Sequence, residues 1–266
     1  MSLKFLCPSF RTRYLSIFKH LKKQSNKNKF KKVLNIGCGE GDYDKELRKY
    51  SESVCAGDIN EHDVNYCKAV NRDKNIIYGI IDAENMSFDD KTFDCVLCIE
   101  VLEHVGSIEK SLESIARVLK KNGLLIITVP VENYPFSYDP VNRFLELFNT
   151  KVSIGAYAYG HSKLINEKHL TEQLSKLSFR ITEKDYMSHH LTGIVEMYWA
   201  GIIQKIFKQN SKNIKHREDK RIKLHPNTLN IPKALIKLID MIISIDKFIF
   251  KNSKKSVGLL IVARKL

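Results

Sequence analysis

The first 32 residues contain no aspartate or glutamate, although ten of them are lysine or arginine. No apolar run approaches the roughly 18 to 20 residues that a membrane-crossing helix needs, which excludes such a span on sequence grounds. In the opening stretch MSLKFLCPSFRTRYL, charges break up the apolar residues early, so it does not read as a secretory signal. The expectation is a cytoplasmic protein, with peripheral attachment at a membrane left open. Cysteine is sparse: six residues, at positions 7, 38, 55, 67, 95 and 98, form no disulfide framework for a chain of this size. Cys95 and Cys98 make a CxxC, but they lie in the strand-like FDCVLCIE. Three residues apart on a strand, they point to opposite faces, and no second pair at zinc-site spacing accompanies them. Internal repeats are also lacking.

The 266 residues suit one domain, or one domain with an added lobe. Hydrophobic residues make up 43% and charged residues 28%, which is ordinary for a globular protein. The net charge is +14, unevenly spread. Residues 33–186 carry 18 basic and 25 acidic residues, whereas residues 187–266 carry 16 basic and 5 acidic. Two basic ends flank an acidic middle. Either the ends meet a polyanion, or a lysine-rich and asparagine-rich composition merely solvates the surface.

Hydrophobic patterning predicts an amphipathic helix over residues 10–23, followed by a polar linker. Short apolar runs are expected as strands at 32–36, 53–57, 76–81, 93–99 and 124–129. Helices are expected between them at 44–49, 60–71 and 108–119, the last stopped by Asn122-Gly123. After an irregular, aromatic stretch over 132–159, a helix is expected at 167–177 and a strand at 179–186. Two helical stretches at about 191–208 and 232–250, separated by a basic linker, precede a last strand at 257–263. Near-continuous apolar strands alternating with helices predict a doubly wound, mostly parallel seven-stranded sheet in a Rossmann-like α/β fold. An N-terminal helix and a C-terminal helical insertion before the last strand are added to it.

The chemistry centres on VLNIGCGEGD, residues 33–42. Gly37 and Gly39 sit at a strand-to-helix turn, where they let the backbone turn sharply and approach a ligand. The following helix offers free N–H groups, which suit a carboxylate as well as a phosphate. Asp58 ends the next strand about 20 residues on, where an acid can hold both hydroxyls of a ribose. The spacing is GxGxG rather than the GxGxxG of pyrophosphate-binding turns.

Taken with GDIN, IIDAENMSFDDKTFDCVLCIEVLEHV and VLKKNGLLIITVP in that order, the stretch resembles the class I S-adenosylmethionine-dependent methyltransferases. Within that family it is similar to the polyprenyl-quinone O-methyltransferase-like branch. The resemblance covers about 33–186 and the last strand. It implies S-adenosylmethionine as cofactor; together with the patterning, this divides the chain into a basic N-terminal helix and linker over 1–32 and a methyltransferase domain over 33–266 with a helical insertion at about 188–256. It implies that the backbone of Gly37, Cys38 and Gly39 lines the methionine part, that Asp58 holds the ribose and that Ile59 lies against the adenine. Asp82 then binds the adenine amino group with Ala83 beside it, and Ile99 and Glu100 flank the cofactor. Asn35 stands where the family often has an acid, so it can accept a hydrogen bond without offsetting the cofactor's ammonium charge. Gly41 either serves the ligand loop or only starts the helix.

Methyl transfer from a sulfonium is chiefly a matter of positioning, but an oxygen or nitrogen acceptor also needs a base. His104 and His161 are the candidate catalytic residues, each with a bland alternative: ordering a loop, or walling the pocket. Glu100, Glu103 and His104 make ExxEH. Similar stretches bind a divalent metal in some quinone and small-RNA 2′-O-methyltransferases, and bind none in other relatives, so a metal here stays undetermined. Tyr134, Phe136 and Tyr138 are expected to shape the pocket. Within 232–251, Lys233, Lys237, Asp240, Ser244, Lys247 and Lys251 form one polar stripe on an otherwise apolar helix. That helix is a lid, a dimer contact, or a helix lying on an anionic membrane surface, and the oligomeric state stays open. The reading is a methyltransferase, acting on an oxygen of a small-molecule or lipid-linked substrate. An RNA methyltransferase is the runner-up, because no nucleic-acid-binding module is recognisable, and a non-catalytic cofactor-binding protein is the third reading.

Overall fold

The computed structural model of the protein describes residues 3–25, 29–132, 164–196 and 232–266, together with 144, 147 and 148. The chain divides into two compact units. One comprises Tyr14–Glu132, Lys163–Asp185 and Leu259–Leu266, the other Met1–Arg13, Asn133–Ser162 and Tyr186–Gly258.

After a short turn at Leu3–Leu6, helix α1 (Pro8–Ser25) leads to β1 (Phe30–Ile36), α2 (Asp44–Tyr50), β2 (Ser51–Asp58), α3 (Glu61–Val70), β3 (Ile76–Ile80) and β4 (Phe93–Ile99). Then come α4 (Ile108–Val118), β5 (Leu119–Pro130), α5 (Glu167–Lys176), β6 (Phe179–Met187), α6 (Lys233–Ile249) and β7 (Gly258–Lys265). The seven strands form one sheet in the order β3-β2-β1-β4-β5-β7-β6. β1 pairs in parallel with both β2 and β4, and β4 in parallel with β5. β7 runs against β6: Leu266 donates to Ser178 at one end, and Val257 donates to Ser188 at the other. This is the expected mostly parallel Rossmann-like sheet.

The sheet's centre is dry because its strands are apolar on both faces. β4 buries six of its seven residues, and only Asp94 is half-exposed. Asp94 is held there by the Lys120 ammonium at 2.8 Å and the backbone N–H of Lys32 at 2.8 Å. Cys95 and Cys98 are fully buried, free thiols, and burial pushes both up, so they stay protonated packing groups. Three helices begin on side-chain caps, Asn60 for α3, Ser107 for α4 and Asn166 for α5, each accepting a backbone N–H of its first turn.

The largest departure from the expected boundaries is at the start of β5. Asn122-Gly123 does not stop α4, which ends at Val118. Leu119 already pairs with Phe93 as the first residue of β5, and the register between the two strands then shifts. Asn122 takes a left-handed φ of 61° inside this irregular strand. Tertiary pairing outweighs the local stop signal.

In the other unit, α6 packs Ile239, Ile243 and Leu235 against Leu6. Its Asp246 is buried and accepts backbone N–H groups from His189 at 2.8 Å and Leu191 at 2.9 Å, where a helical segment over residues 190–196 starts. Asp246→Ala strands both donors, so denaturant unfolding should show a loss of about 2–4 kcal/mol. Asp246→Asn, which keeps one acceptor, should lose less.

Candidate functional site

The strand order reverses beside β1, between β2 and β4. In open α/β sheets, the carboxyl ends of strands at such a reversal leave a crevice that no connection fills. A cavity of about 330 Å³ lies there. β1 contributes Ile36 and Gly37, β2 Asp58 and Ile59, the end of β3 Ile81, Asp82, Ala83 and Glu84, and the end of β4 Glu100, Val101, His104, Val105 and Gly106.

The glycine turn explains how the backbone reaches this crevice. Gly37, Gly39 and Gly41 all have left-handed φ, at 68°, 50° and 77°. A Cβ on Gly37 would lie 2.2 Å from Cγ2 of Val101, so only glycine lets the β1 end pass the β4 end. A Cβ on Gly39 would meet nothing within 4 Å; it would project into open space. The Asp58 carboxylate ties the loop to β2. Its Oδ2 accepts the Gly39 N–H at 2.9 Å, and its Oδ1 accepts the Asn60 N–H at 3.0 Å. Ile59, 72% exposed, stands beside it as an apolar face with nothing yet covering it.

At the next strand end, Asp82 Oδ1 accepts the Glu84 N–H at 2.9 Å, and Glu84 Oε1 accepts the Gly106 N–H at 2.7 Å. These two bonds link the turn after β3 to the turn after β4 and close one wall. Glu100 has a left-handed φ of 54°, a strained conformation for a side-chain-bearing residue. It is held by its N–H to Thr128 O at 3.0 Å and by Thr128 Oγ1 donating to its Oε1 at 3.0 Å. Four carboxylates thus line the cavity, and among the described residues no lysine or arginine does. Such a lining favours a cation and opposes a pyrophosphate.

Of the residues proposed from sequence, the structure brings Gly37, Asp58, Ile59, Asp82, Ala83, Glu100 and His104 to one cavity. Ile99 is buried behind it. Asn35, Cys38 and Gly39 lie outside the lining. Asn35 is buried and donates from Nδ2 to Asp44 Oδ1 at 2.7 Å, beneath the loop. His161, Tyr134, Phe136 and Tyr138 lie outside the described residues. Ile36, Ile81, Glu84, Val101, Val105 and Gly106 also line the cavity and were missed from sequence. The signal for Glu84 was available: an acid two residues after a strand-end aspartate, where an Asx turn forms.

His104 is 58% exposed on its side chain, and its Nε2 lies 3.9 Å from Oε1 of the buried Glu103. Glu100, Glu103 and His104 do not converge as one metal-ligating group. The group of three that does form among the described residues is Cys38, Asp44 and Cys67, with ligand atoms within 4.8 Å of one another. Hydrogen bonding to Cys67, then burial, pushes the Cys38 thiol up, so it stays protonated at neutral pH. Both sulfurs donate to the Gly39 carbonyl, Cys67 at 3.2 Å and Cys38 at 3.6 Å. This is a neutral hydrogen-bonded footing for the glycine loop.

Burial pushes Asp44 up to about 6, against the hydrogen bonds from Asn35 and Tyr78 that pull it down. Because the folded value exceeds the unfolded one, Asp44 contributes its stability below about pH 4. That contribution is lost as pH rises toward 6. Urea unfolding should therefore show wild type losing on the order of 3 kcal/mol across that window relative to the isosteric Asp44→Asn variant.

With this geometry in hand, comparison with known proteins is informative. Residues 34–127 match the family model described as "Methyltransferase domain". An uncharacterised protein of Methanocaldococcus jannaschii is 30% identical over 197 residues, covering 72% of this chain and 79% of its own. The sterol 24-C-methyltransferase erg6 of Schizosaccharomyces pombe is 29% identical over 167 residues, 60% of this chain and 42% of that one. A ubiquinone biosynthesis O-methyltransferase of Coxiella burnetii is 32% identical over 108 residues, 40% of this chain and 46% of that one. The match thus spans less than half of either named enzyme. Among solved structures, Haemonchus contortus phosphoethanolamine N-methyltransferase 2, in complex with S-adenosyl-L-methionine, superposes with a TM-score of 0.57 at 16% identity. The superposition covers 95% of this chain and 52% of that one, and it shows a shared fold.

Proposed function

The chain belongs to the class I S-adenosylmethionine-dependent methyltransferases, and on that premise we propose that it methylates an oxygen of a small or lipid-linked acceptor. S-Adenosylmethionine is its cofactor. The single observation that carries the cofactor's placement is the cavity itself, at the switch point of the sheet and lined by Asp58, Asp82, Glu84 and Glu100. A sulfonium and an ammonium are favoured in that field. The open space at Gly39 admits a ligand chain against the loop.

When bound, S-adenosylmethionine supplies a methyl group on a positively charged sulfur, ready for in-line displacement. Asp58 would hold the ribose hydroxyls, and Ile59 would lie against the adenine. Asp82 would bind the adenine amino group, with Ala83 beside it. Glu100, fixed by Thr128, would face the cationic end. Asn35 acts from beneath, through Asp44, on the position of the loop. His104 stands at the cavity wall with its side chain more than half exposed, where its imidazole is the base that takes the proton of the acceptor hydroxyl as that oxygen attacks. His161 is the second candidate base on sequence grounds.

The oxygen acceptor is favoured by the ubiquinone O-methyltransferase match and by a histidine at the cavity able to take a hydroxyl proton. The test is transfer of labelled methyl from the cofactor to three acceptor pools: polyprenyl phenols, sterols and total RNA. Label on a phenolic oxygen, lost in His104→Ala, supports the reading. Label on sterol carbon or in RNA overturns it.

A further inference from the structure

Helix α6 has three faces, not two. Leu235, Ile239, Ile243 and Asp246 point inward, toward Leu6 and the His189–Leu191 backbone. A second face, about 120° around the axis, is the polar stripe. There Asp240 is engaged by the Arg11 guanidinium, with Nη2 to Oδ2 at 2.7 Å, while Lys233, Lys237 and Lys251 are exposed. The third face carries Leu238, Met241, Ile245, Phe248 and Ile249, at helical spacings of three, four, three and one. All five are exposed, Phe248 at 78%. A packed helix needs one apolar face; this one has a second, directed at solvent and bordered by lysines.

Two occupants suit an exposed apolar helix face: another copy of the chain, or a lipid surface. Charge decides between them. Along residues 232–256 six lysines stand against two acids, and Asp240 is already paired with Arg11, so apposing two copies of this helix would bring like charges together. Anionic headgroups would neutralise the same lysines, whose long stems reach outward while the apolar side chains dip below them. No helix among the described residues is long and apolar enough to cross a membrane, so the geometry is that of a helix lying in the interface plane.

We propose that α6 docks on an anionic lipid bilayer, with Leu238, Met241, Ile245, Phe248 and Ile249 in the headgroup–acyl boundary and Lys233, Lys237 and Lys251 on the phosphates. The test of this docking is independent of which acceptor is methylated.

The experiment is co-sedimentation of the full chain with vesicles of phosphatidylcholine alone and of phosphatidylcholine mixed with phosphatidylglycerol, at low and high salt. Wild type should pellet with the anionic vesicles and much less at high salt. Met241→Glu/Phe248→Glu should lower partitioning at least tenfold, as should Phe248→Ala to a smaller degree. Lys233→Glu/Lys237→Glu/Lys251→Glu should erase the preference for anionic lipid. All these positions are exposed, so cofactor affinity and thermal unfolding should match wild type and show that each variant is folded. Failure of wild type to pellet, or equal pelleting of wild type and the α6 variants, would overturn the proposal. So would a dimer that Met241→Glu/Phe248→Glu converts to monomer without lipid, which would make a second copy the occupant.

Discussion

Asp58→Ala is expected to weaken S-adenosylmethionine binding by a hundredfold or more, read by equilibrium dialysis with labelled cofactor. Two effects add. The variant loses a carboxylate poised for two ribose hydroxyls, and charge-assisted hydrogen bonds of that kind are worth about 1.5–3 kcal/mol each. It also loses the acceptor for the Gly39 N–H at 2.9 Å and the Asn60 N–H at 3.0 Å, so the glycine loop keeps its backbone bond from Cys38 to Gly57 but loses its side-chain tie to β2. Asp58→Asn separates them, since one amide oxygen still accepts one N–H. It should fall between wild type and alanine. An alanine variant that binds as tightly as wild type would remove Asp58 from the site.

The second large effect is at Gly37. Alanine there must adopt a φ of 68°, which costs about 1–2 kcal/mol for a side-chain-bearing residue. It must also displace Cγ2 of Val101 from 2.2 Å, and overpacking of that kind costs about 1–3 kcal/mol. Gly37→Ala should therefore lower the melting temperature by roughly 5–15 °C. Val101→Ala on that background removes the colliding methyl and should restore about half of the loss. Gly39→Ala gives the contrast. Its Cβ projects into open space, so the fold should bear only the backbone cost while cofactor affinity drops. Equal effects of the two substitutions on stability would contradict the loop geometry described above.

Much of the fold was legible in the sequence, for a physical reason. β4 reads as an apolar run broken only by Asp94 because both of its faces are covered. Strand-end acids were legible because Asp58 and Asp82 interrupt such runs at the carboxyl edge, where the crevice lies. What escaped was whatever depends on a distant partner. The start of β5, expected at residue 124, falls at Leu119 because that residue is claimed by Phe93, which no local pattern reveals. Asn35 donates from Nδ2 to Asp44, nine residues on, a pairing that its place in the glycine motif does not reveal. Glu84 and Gly106 meet through one hydrogen bond across 22 residues, which sequence spacing cannot signal. The apolar stretch in α6 could not be divided into buried and exposed faces until Leu6 showed which side packs.

The most direct test of the central claim is a calorimetric titration of the full chain with S-adenosylmethionine. The cavity at the switch point, with its four carboxylates, predicts saturable binding at one equivalent, competed by the demethylated product and unaffected by nicotinamide dinucleotide. Absence of saturable heat with S-adenosylmethionine, or binding of the dinucleotide in its place, would contradict the account.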